Sequence, residues 1–178
     1  MRFEGLTDSL AAGPMAVTPD EWARFIKGGG KPAEGRKPDD YDRWLTQIKG
    51  AAYSMFFDAK AFSDFQKQKG VDPKDSKFMP TYLDVFHVYL LGGAEAAVAV
   101  LNARNDDALK NQKMDVLLGA ISAPPKMDAL QSRRAKYLGV PGQAKTVTEF
   151  IQSTETELRG ALKVALDLIK QHAPDELP

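Results

Sequence analysis

Three segments of this chain carry the residue pattern that starts an α-helix. They are Thr18-Pro19-Asp20-Glu21, Thr81 with Asp84, and Thr146 with Glu149. In each, a threonine precedes a carboxylate by three residues, a spacing that lets each side chain cap a backbone N–H of the other residue. The signals for strands, alternating β-branched runs and Asn-Gly or Asp-Gly hairpins, are weak or missing. The sequence therefore predicts an all-α fold.

Glycines mark where the predicted helices end. Gly28-Gly29-Gly30 ends a first short helix, Gly92-Gly93 separates two helices, and Gly139 ends another. Gly50 lies inside a longer helical pattern and predicts a bend or a break there. We expect about seven or eight helices in a single domain that comprises residues 1–178. The predicted helices start at Pro19 and then cover residues 39–68, 81–91, 94–101, 106–118, 127–138 and 146 onward.

The spacing of apolar residues indicates which helix faces turn toward the core. The alanines of residues 94–101 favour close approach to neighbouring helices. In residues 106–118 the inward positions are Leu109, Met114, Leu117 and Leu118. In the last helix they are Phe150, Leu158, Leu162, Leu166 and Ile169.

The charge of the chain excludes several classes of partner. The 178 residues include 24 basic and 24 acidic side chains, so there is no net field to attract nucleic acid or an anionic membrane. The most apolar run, residues 85–100, contains His87, Glu95 and a glycine pair, and it is too polar and too short to span a bilayer. We expect neither a nucleic-acid partner nor membrane insertion.

Neither cysteine chemistry nor a signal peptide is indicated. The chain has no cysteine, which excludes disulfides, thiolate nucleophiles and zinc–sulfur sites. Glu4 and Asp8 interrupt the basic-then-apolar pattern of a signal peptide. We therefore expect a protein that is made in the cytoplasm without a cleaved signal peptide.

Acid–base catalysis by a carboxylate is the chemistry that the sequence still allows once other reaction types are excluded. His87 and His172 lie in different settings, no His/Asp/Glu cluster has metal-ligand spacing, and there is no nucleophile elbow or phosphate loop. His87 lies in a largely apolar helical segment and is interpreted as a packing residue. Glu4 has apolar neighbours of the kind that raise the pKa of a catalytic acid, and Glu95 is the other glutamate in an apolar setting. From the residues alone, an exposed N-terminal charge explains Glu4 at least as well.

Two stretches of the chain, near its start and around residues 80–94, occur in an order that is typical of a known group of enzymes. Glu4-Gly5-Leu6 precedes Gly13-Pro14-Met15-Ala16-Val17-Thr18-Pro19, and Pro80-Thr81-Tyr82-Leu83-Asp84-Val85-Phe86-His87-Val88-Tyr89-Leu90-Leu91-Gly92-Gly93-Ala94 follows later. They resemble the catalytic Glu-Ser motif and Gly-Leu-Met-Gln turn, and then a Pro-Thr-x-x-Asp segment, of lysozyme-like peptidoglycan glycoside hydrolases. This superfamily contains lytic transglycosylases, muramidases and glucosaminidases of phage virions and antibacterial effectors. The chain departs from it at Gly5 and Ala16, and the family histidine falls on Tyr89.

The resemblance implies a fold and a reaction. The fold would be a lysozyme-like helical domain with its helices around a cleft. Glu4 would be the general acid that protonates the β-1,4 link between N-acetylmuramic acid and N-acetylglucosamine, and then the base toward water or toward the muramyl 6-hydroxyl. The second route distinguishes a lytic transglycosylase from a hydrolase. The identity of a second carboxylate stays open among Asp8, Asp20, Asp58 and Asp84.

The resemblance also implies a set of glycan contacts. The candidate substrate-binding residues are Met15, Ala16, Tyr53, Tyr82, Asp84 and Tyr89. For the three tyrosines, core packing is the alternative interpretation. For Asp84 the alternative is its role as a helix cap.

The partners follow from the same resemblance. We expect the glycan strands of peptidoglycan as substrate, no metal or other cofactor, and a cognate immunity protein that occludes the cleft. The expected site of action is the periplasm of a target bacterium, reached as an antibacterial effector through a contact-dependent system such as type VI secretion, or through a phage tail. The alternative is a non-catalytic helical interaction protein or virion component.

Overall fold

The computed structural model describes residues 19–28, 44–72 and 80–172, and within these residues the chain forms seven helices and one hairpin. The prediction of an all-α fold with about seven helices is confirmed. The elements are α1 (Pro19–Lys27), α2 (Trp44–Gln68), α3 (Tyr82–Leu91), α4 (Ala94–Arg104), α5 (Met114–Gly119), α6 (Met127–Leu138), β1 (Gly139–Val140), β2 (Gln143–Ala144) and α7 (Val147–His172).

Two of the predicted helix starts are reciprocal capping boxes. At α3 the Thr81 hydroxyl accepts the Asp84 N–H at 3.3 Å, and the Asp84 carboxylate accepts the Thr81 N–H at 2.8 Å. At α7 the Glu149 carboxylate accepts the Thr146 N–H at 2.7 Å, and the Thr146 hydroxyl accepts the Glu149 N–H at 3.2 Å. These bonds satisfy N–H groups that have no partner inside a helix, so they fix where each helix begins.

The predicted helix ends are mostly confirmed. Gly92 adopts a φ of 77° and ends α3 by donating its N–H to the carbonyl of Val88 at 2.9 Å. Gly139 ends α6. The prediction of a break at Gly50 is wrong, because α2 continues through this residue from Trp44 to Gln68. A glycine inside a helix costs about 1 kcal/mol relative to alanine, which is too little to interrupt a long helix held by packing.

Residues 107–111 form turns and Lys113 pairs with Thr146 in an isolated β-bridge, so the prediction of a helix over 106–118 is wrong for its first part. The carbonyl of Lys110 accepts the N–H and the hydroxyl of Thr148 at 3.0 and 2.8 Å, and the carbonyl of Gln112 accepts the N–H of Val147 at 2.9 Å. These carbonyls therefore serve the unpaired N–H groups at the start of α7. They accept hydrogen bonds from residues distant in the chain instead of from the next turn of a helix.

Helix α4 lies at the centre of the packing and contacts α2, α3, α5 and α7. Its alanines make this close approach possible, since Ala97 and Ala103 are fully buried. The main core cluster joins α3 to α7 and contains Leu90, Leu91, Ala96, Val100, Ala103, Met114, Leu117, Leu118, Tyr137, Leu138, Val147 and Phe150. A second cluster joins α2 to α3 and α4 and contains Phe62, Val88, Ala97, Val98 and Leu101.

The apolar faces predicted for residues 106–118 and for the last helix are confirmed in part. Leu109 is partly buried against the same core cluster that holds the buried side chains of α5. On α7, Phe150 is fully buried, whereas Leu162 is 58% exposed. The side chains of Leu166 and Ile169 lie outside the described residues. Among the described side chains of this face, Phe150 is therefore buried as predicted and Leu162 is not.

A two-stranded hairpin that the sequence analysis did not predict joins α6 to α7. Gly139 pairs with Ala144 and Val140 pairs with Gln143 in antiparallel register. Pro141 and Gly142 form the turn, and Gly142 has a φ of 80°, which suits the glycine position of a type II turn. With two residues in each strand, the hairpin is too short to produce an alternating pattern.

Candidate functional site

The predicted site residues fall on three parts of the chain. Glu4, Asp8, Met15 and Ala16 lie outside the described residues. Asp20 belongs to α1, and Tyr53 and Asp58 belong to α2. The remaining three candidates, Tyr82, Asp84 and Tyr89, are all on α3. Helix α3 is therefore the part of the candidate site whose geometry can be described.

Asp84 is a buried carboxylate that accepts hydrogen bonds on Oδ2 and forms an ion pair through Oδ1. Its Oδ2 accepts the N–H of Thr81 at 2.8 Å and the hydroxyl of Thr81 at 2.7 Å. Its Oδ1 lies 3.4 Å from Nη1 of Arg104, and the Asp84 side chain is only 1% exposed. Arg104 is 30% exposed, so its guanidinium reaches solvent from the end of α4. The arrangement ties the start of α3 to the end of α4 and gives Asp84 no direct path to a substrate.

Three aromatic residues form a continuous stripe along one side of α3, which we name the aromatic face. They are Tyr82, Phe86 and Tyr89, spaced by four and three residues so that they share one side of the helix. Tyr82 is 79% exposed, whereas Phe86 makes an edge-to-face contact with Tyr137 at 6.3 Å. The face thus begins in solvent and runs into the core.

The partly buried end of the aromatic face, at Tyr89, contacts an arginine. The guanidinium carbon of Arg134 lies 5.7 Å from the ring centroid of Tyr89, within the range of a cation–π interaction. Arg134 also has non-helical backbone angles, with φ −129° and ψ 28°, inside α6. Neither Arg134 nor Arg104 is among the site residues predicted from the sequence. A basic residue in the last turn of a helix can pair with a nearby carboxylate. Arg104, in the last turn of α4, is such a residue, and its position is the sequence signal for its pairing with Asp84.

Tyr53 lies in a different place, between α1 and α2. Its ring packs on Phe25 at 5.4 Å and on Phe57 at 4.6 Å. Its hydroxyl reaches Gly28, where a Cβ would be only 1.5 Å from the Tyr53 oxygen. Tyr53 therefore fixes α1 on α2, consistent with core packing as its alternative interpretation.

Glu95 binds a loop rather than facing an apolar cleft. Its two carboxylate oxygens accept the N–H groups of Ser122 and Ala123 at 2.9 and 3.2 Å. These bonds, the Ser122 contact first, lower the pKa of Glu95 below its ordinary value. A general acid must hold its proton near neutral pH, so this setting opposes a catalytic role for Glu95.

His87 is a buried packing residue. It is 1% exposed, its Nε2 lies 2.9 Å from the hydroxyl of Thr154, and its ring lies 4.7 Å from that of Phe150. Burial first, and then the charge of Arg104, lower the pKa of His87 to about 3. The imidazole is therefore neutral at physiological pH.

Other features of the described residues add no further site. Within residues 19–28, 44–72 and 80–172, no group of three or more histidines and carboxylates is arranged to hold a metal ion. An open depression of about 450 Å³ at the start of α6 is lined by Lys126, Met127, Asp128 and Ala129, none of which is a predicted site residue. None of the described helices is both long enough and apolar enough to cross a membrane.

No protein-family model, curated protein or solved structure matches this chain.

Proposed function

We propose that this chain is a peptidoglycan-degrading glycosidase that cleaves β-1,4 bonds of the glycan strand with Glu4 as general acid. One observation carries the proposal: Glu4-Gly5-Leu6, the turn after it, and the Pro80–Ala94 stretch occur in the order of the lysozyme-like enzymes. An all-α fold is compatible with that superfamily. The Pro80–Ala94 stretch also forms a capped helix, α3, that is followed by Gly92 and the start of α4.

In the proposed reaction, protonated Glu4 donates its proton to the glycosidic oxygen while the bond from that oxygen to the anomeric carbon breaks. Positive charge develops on the sugar ring, and an oxygen nucleophile then attacks the anomeric carbon. The Glu4 carboxylate takes the proton of that nucleophile. Water as nucleophile leaves a reducing end, whereas the muramyl 6-hydroxyl leaves a 1,6-anhydro sugar.

The aromatic face of α3 is the proposed glycan contact among the described residues. Tyr82 offers an exposed ring, and aromatic rings combine a large apolar surface with a polar edge, which suits a sugar. Tyr89 is held by Arg134 and would contribute at the inner end of the face. Asp84 is buried, so its proposed contribution is to fix the start of α3 rather than to touch the glycan.

The test is digestion of purified peptidoglycan with the wild-type chain, Glu4→Gln and a matched control, Glu155→Gln. Glu155 forms a surface pair with Arg159 at 2.7 Å on α7, so its amide variant keeps the fold. We expect the wild type and Glu155→Gln to release muropeptides and Glu4→Gln to release none. Equal release by Glu4→Gln would remove Glu4 from the proposed role. Mass spectrometry of the products distinguishes reducing from 1,6-anhydro ends.

Delivery to the periplasm of a target bacterium, as a secretion-system effector or with a phage tail, is part of the same proposal. A producing cell would need an immunity protein that occludes the cleft beside Glu4. Both statements rest on the resemblance, since a fold by itself does not define a function. Expression of the chain with a periplasmic signal sequence should lyse a Gram-negative host, and Glu4→Gln should abolish the lysis.

A second candidate is a non-catalytic helical interaction protein. The observation that favours it is that Asp84 and Glu95, the described carboxylates in the most distinctive settings, both accept backbone hydrogen bonds and do not face a cleft. Met55 and Phe56 on α2 are also 51% and 65% exposed, as partner-binding side chains often are. Absence of muropeptide release by a correctly folded wild-type chain would favour this candidate over the glycosidase.

A further inference from the structure

A histidine makes a polar contact between the buried faces of α3 and α7. His87 on α3 is 1% exposed, Thr154 on α7 is fully buried, and the His87 Nε2 lies 2.9 Å from the Thr154 hydroxyl. The two residues are 67 positions apart in the chain. The bond therefore joins two helices that depend on tertiary packing for their contact.

The surroundings of the Thr154 hydroxyl assign the proton on the imidazole. The hydroxyl lies 3.0 Å from the carbonyls of Phe150 and of Ile151, one turn earlier on α7, and donates its single hydrogen in that direction. Toward His87 the Thr154 oxygen must then accept. Nε2 of His87 consequently carries the hydrogen of the neutral ring, and Nδ1 is its acceptor nitrogen.

Nδ1 of His87 is buried and has no hydrogen-bond partner within the described part of the chain. Protonation of the ring would occur at this nitrogen. It would place a positive charge and a donor without an acceptor in the core, a combination that proteins avoid.

The charged groups near the ring do not compensate such a charge. Arg104 on α4 acts on His87 with a charge of the same sign. Asp84, one turn earlier on α3, is paired with Arg104 and with Thr81. On α7 the ring contacts Thr154 and Phe150, both of which are neutral. The buried residues on the neighbouring half of α2, Phe62 and Gln66, are uncharged.

We propose that the His87–Thr154 contact is an acid-sensitive latch that attaches α7 to α3 and is released when the imidazole takes up a proton. The proposal does not rest on the glycosidase activity, since it uses only the contacts that His87 makes with Thr154 and Phe150. It couples the stability of the helical core to pH in a range where a buried neutral histidine must become charged.

The sign of the coupling follows from the shift in pKa. Burial and Arg104 lower the pKa of His87 from its ordinary 6.5 to about 3 in the folded chain. Between these two values the unfolded chain binds more protons than the folded chain, so stability is full above pH 6.5 and is lost as the pH falls. The folding equilibrium constant drops about tenfold per pH unit in this window.

The experiment measures the folding equilibrium constant of the full chain by urea unfolding from pH 7.5 to pH 4.5. Wild type is compared with His87→Gln, which cannot be protonated, and with His172→Gln, a variant of the only other histidine. Between pH 7.5 and 4.5 the constant of the wild type should fall about a hundredfold more than that of His87→Gln. His172→Gln should follow the wild type. Equal pH slopes for wild type and His87→Gln would overturn the proposal.

A second measurement decides the question if His87→Gln does not fold. The imidazole C–H resonances of the folded wild type are followed by NMR over the same pH range and assigned with His172→Gln. The His87 resonance should not titrate between pH 7.5 and 4.5. Titration of His87 in the folded chain with a midpoint near 6.5 would show that the folded core tolerates the protonated imidazole. That result would overturn the proposed latch.

Discussion

The two halves of α2 pack in different ways, although they belong to one uninterrupted helix. In the first half, the ring of Tyr53 contacts Phe57 and the α1 residue Phe25, while Phe56 is 65% exposed. In the second half, Phe62 is fully buried in the cluster shared with α3 and α4. The first half carries α1, and the second half belongs to the central body. The burial of an aromatic side chain in this helix, and its contribution to stability, thus depend on which helix packs against it.

The largest effect that tests this difference is expected at Phe62. Phe62→Ala should lower the free energy of unfolding by about 4 kcal/mol, because it removes buried area and leaves a cavity in the second core cluster. Phe56→Ala is the matched control on the same helix, and its cost should stay within about 1 kcal/mol, since the residue is 65% exposed and its ring contacts Phe57 only edge to face, at 6.2 Å. Urea unfolding of both variants checks the pair. A large loss for Phe56→Ala would mean that its ring is covered in solution and would remove the contrast between the two halves.

The next effect concerns the start of α3, against which the second half of α2 packs. Asp84→Ala should cost about 3 kcal/mol, because it removes a helix cap and leaves Arg104 without its buried partner. The partial exposure of Arg104 keeps the cost from being larger. Asp107→Asn, which alters a surface pair with Lys110, should leave thermal and urea unfolding near the wild-type midpoint. Near-wild-type stability of Asp84→Ala would contradict the buried position of this carboxylate.

The third effect tests the attachment of α1 to the first half of α2. In Gly28→Ala the new Cβ would collide with the Tyr53 hydroxyl, so the ring must leave its contacts with Phe25 and Phe57, at a cost of about 2 kcal/mol. Amide hydrogen exchange should show faster opening in α1 and no change in α4.

A matched substitution at another glycine, Gly160, should stabilise the chain rather than destabilise it. A Cβ at Gly160 on α7 meets no atom within 4 Å, so Gly160→Ala should stabilise the chain by about 0.5–1 kcal/mol through helix propensity alone. Replacement of Tyr53 by alanine should remove most of the cost of Gly28→Ala. If the cost persists in that background, the contact between Gly28 and Tyr53 is not its cause.

Much of the helical framework could be predicted from the sequence, because helix ends are local. Thr81 with Asp84 and Thr146 with Glu149 form the predicted capping boxes, and Gly92 ends α3 as predicted. Each of these features needs a partner only three or four residues away. Residues 106–113 departed from their helical pattern because their carbonyls bind the start of α7, a partner that local spacing does not reveal.

Less of the candidate site could be predicted or tested. Glu4, Met15 and Ala16 lie outside the described residues, so their roles stay predictions. For the three tyrosines, sequence spacing indicated aromatic helix faces but not their neighbours. The structure separates them, with Tyr53 between α1 and α2 and with Tyr82 and Tyr89 on the aromatic face of α3.

The sequence by itself determined that the chain is helical and where most of the helices begin and end. It also determined which chemistry is absent, since the chain has no cysteine and no net charge. Only the tertiary structure decided that Asp84 meets Arg104, that Glu95 binds the loop at Ser122, and that His87 meets Thr154. These partners are distant along the chain, and packing brings them together by burying apolar surface, which has no directional preference of its own. The burial that removed water from His87 also lowered its pKa, a property that no local pattern contains.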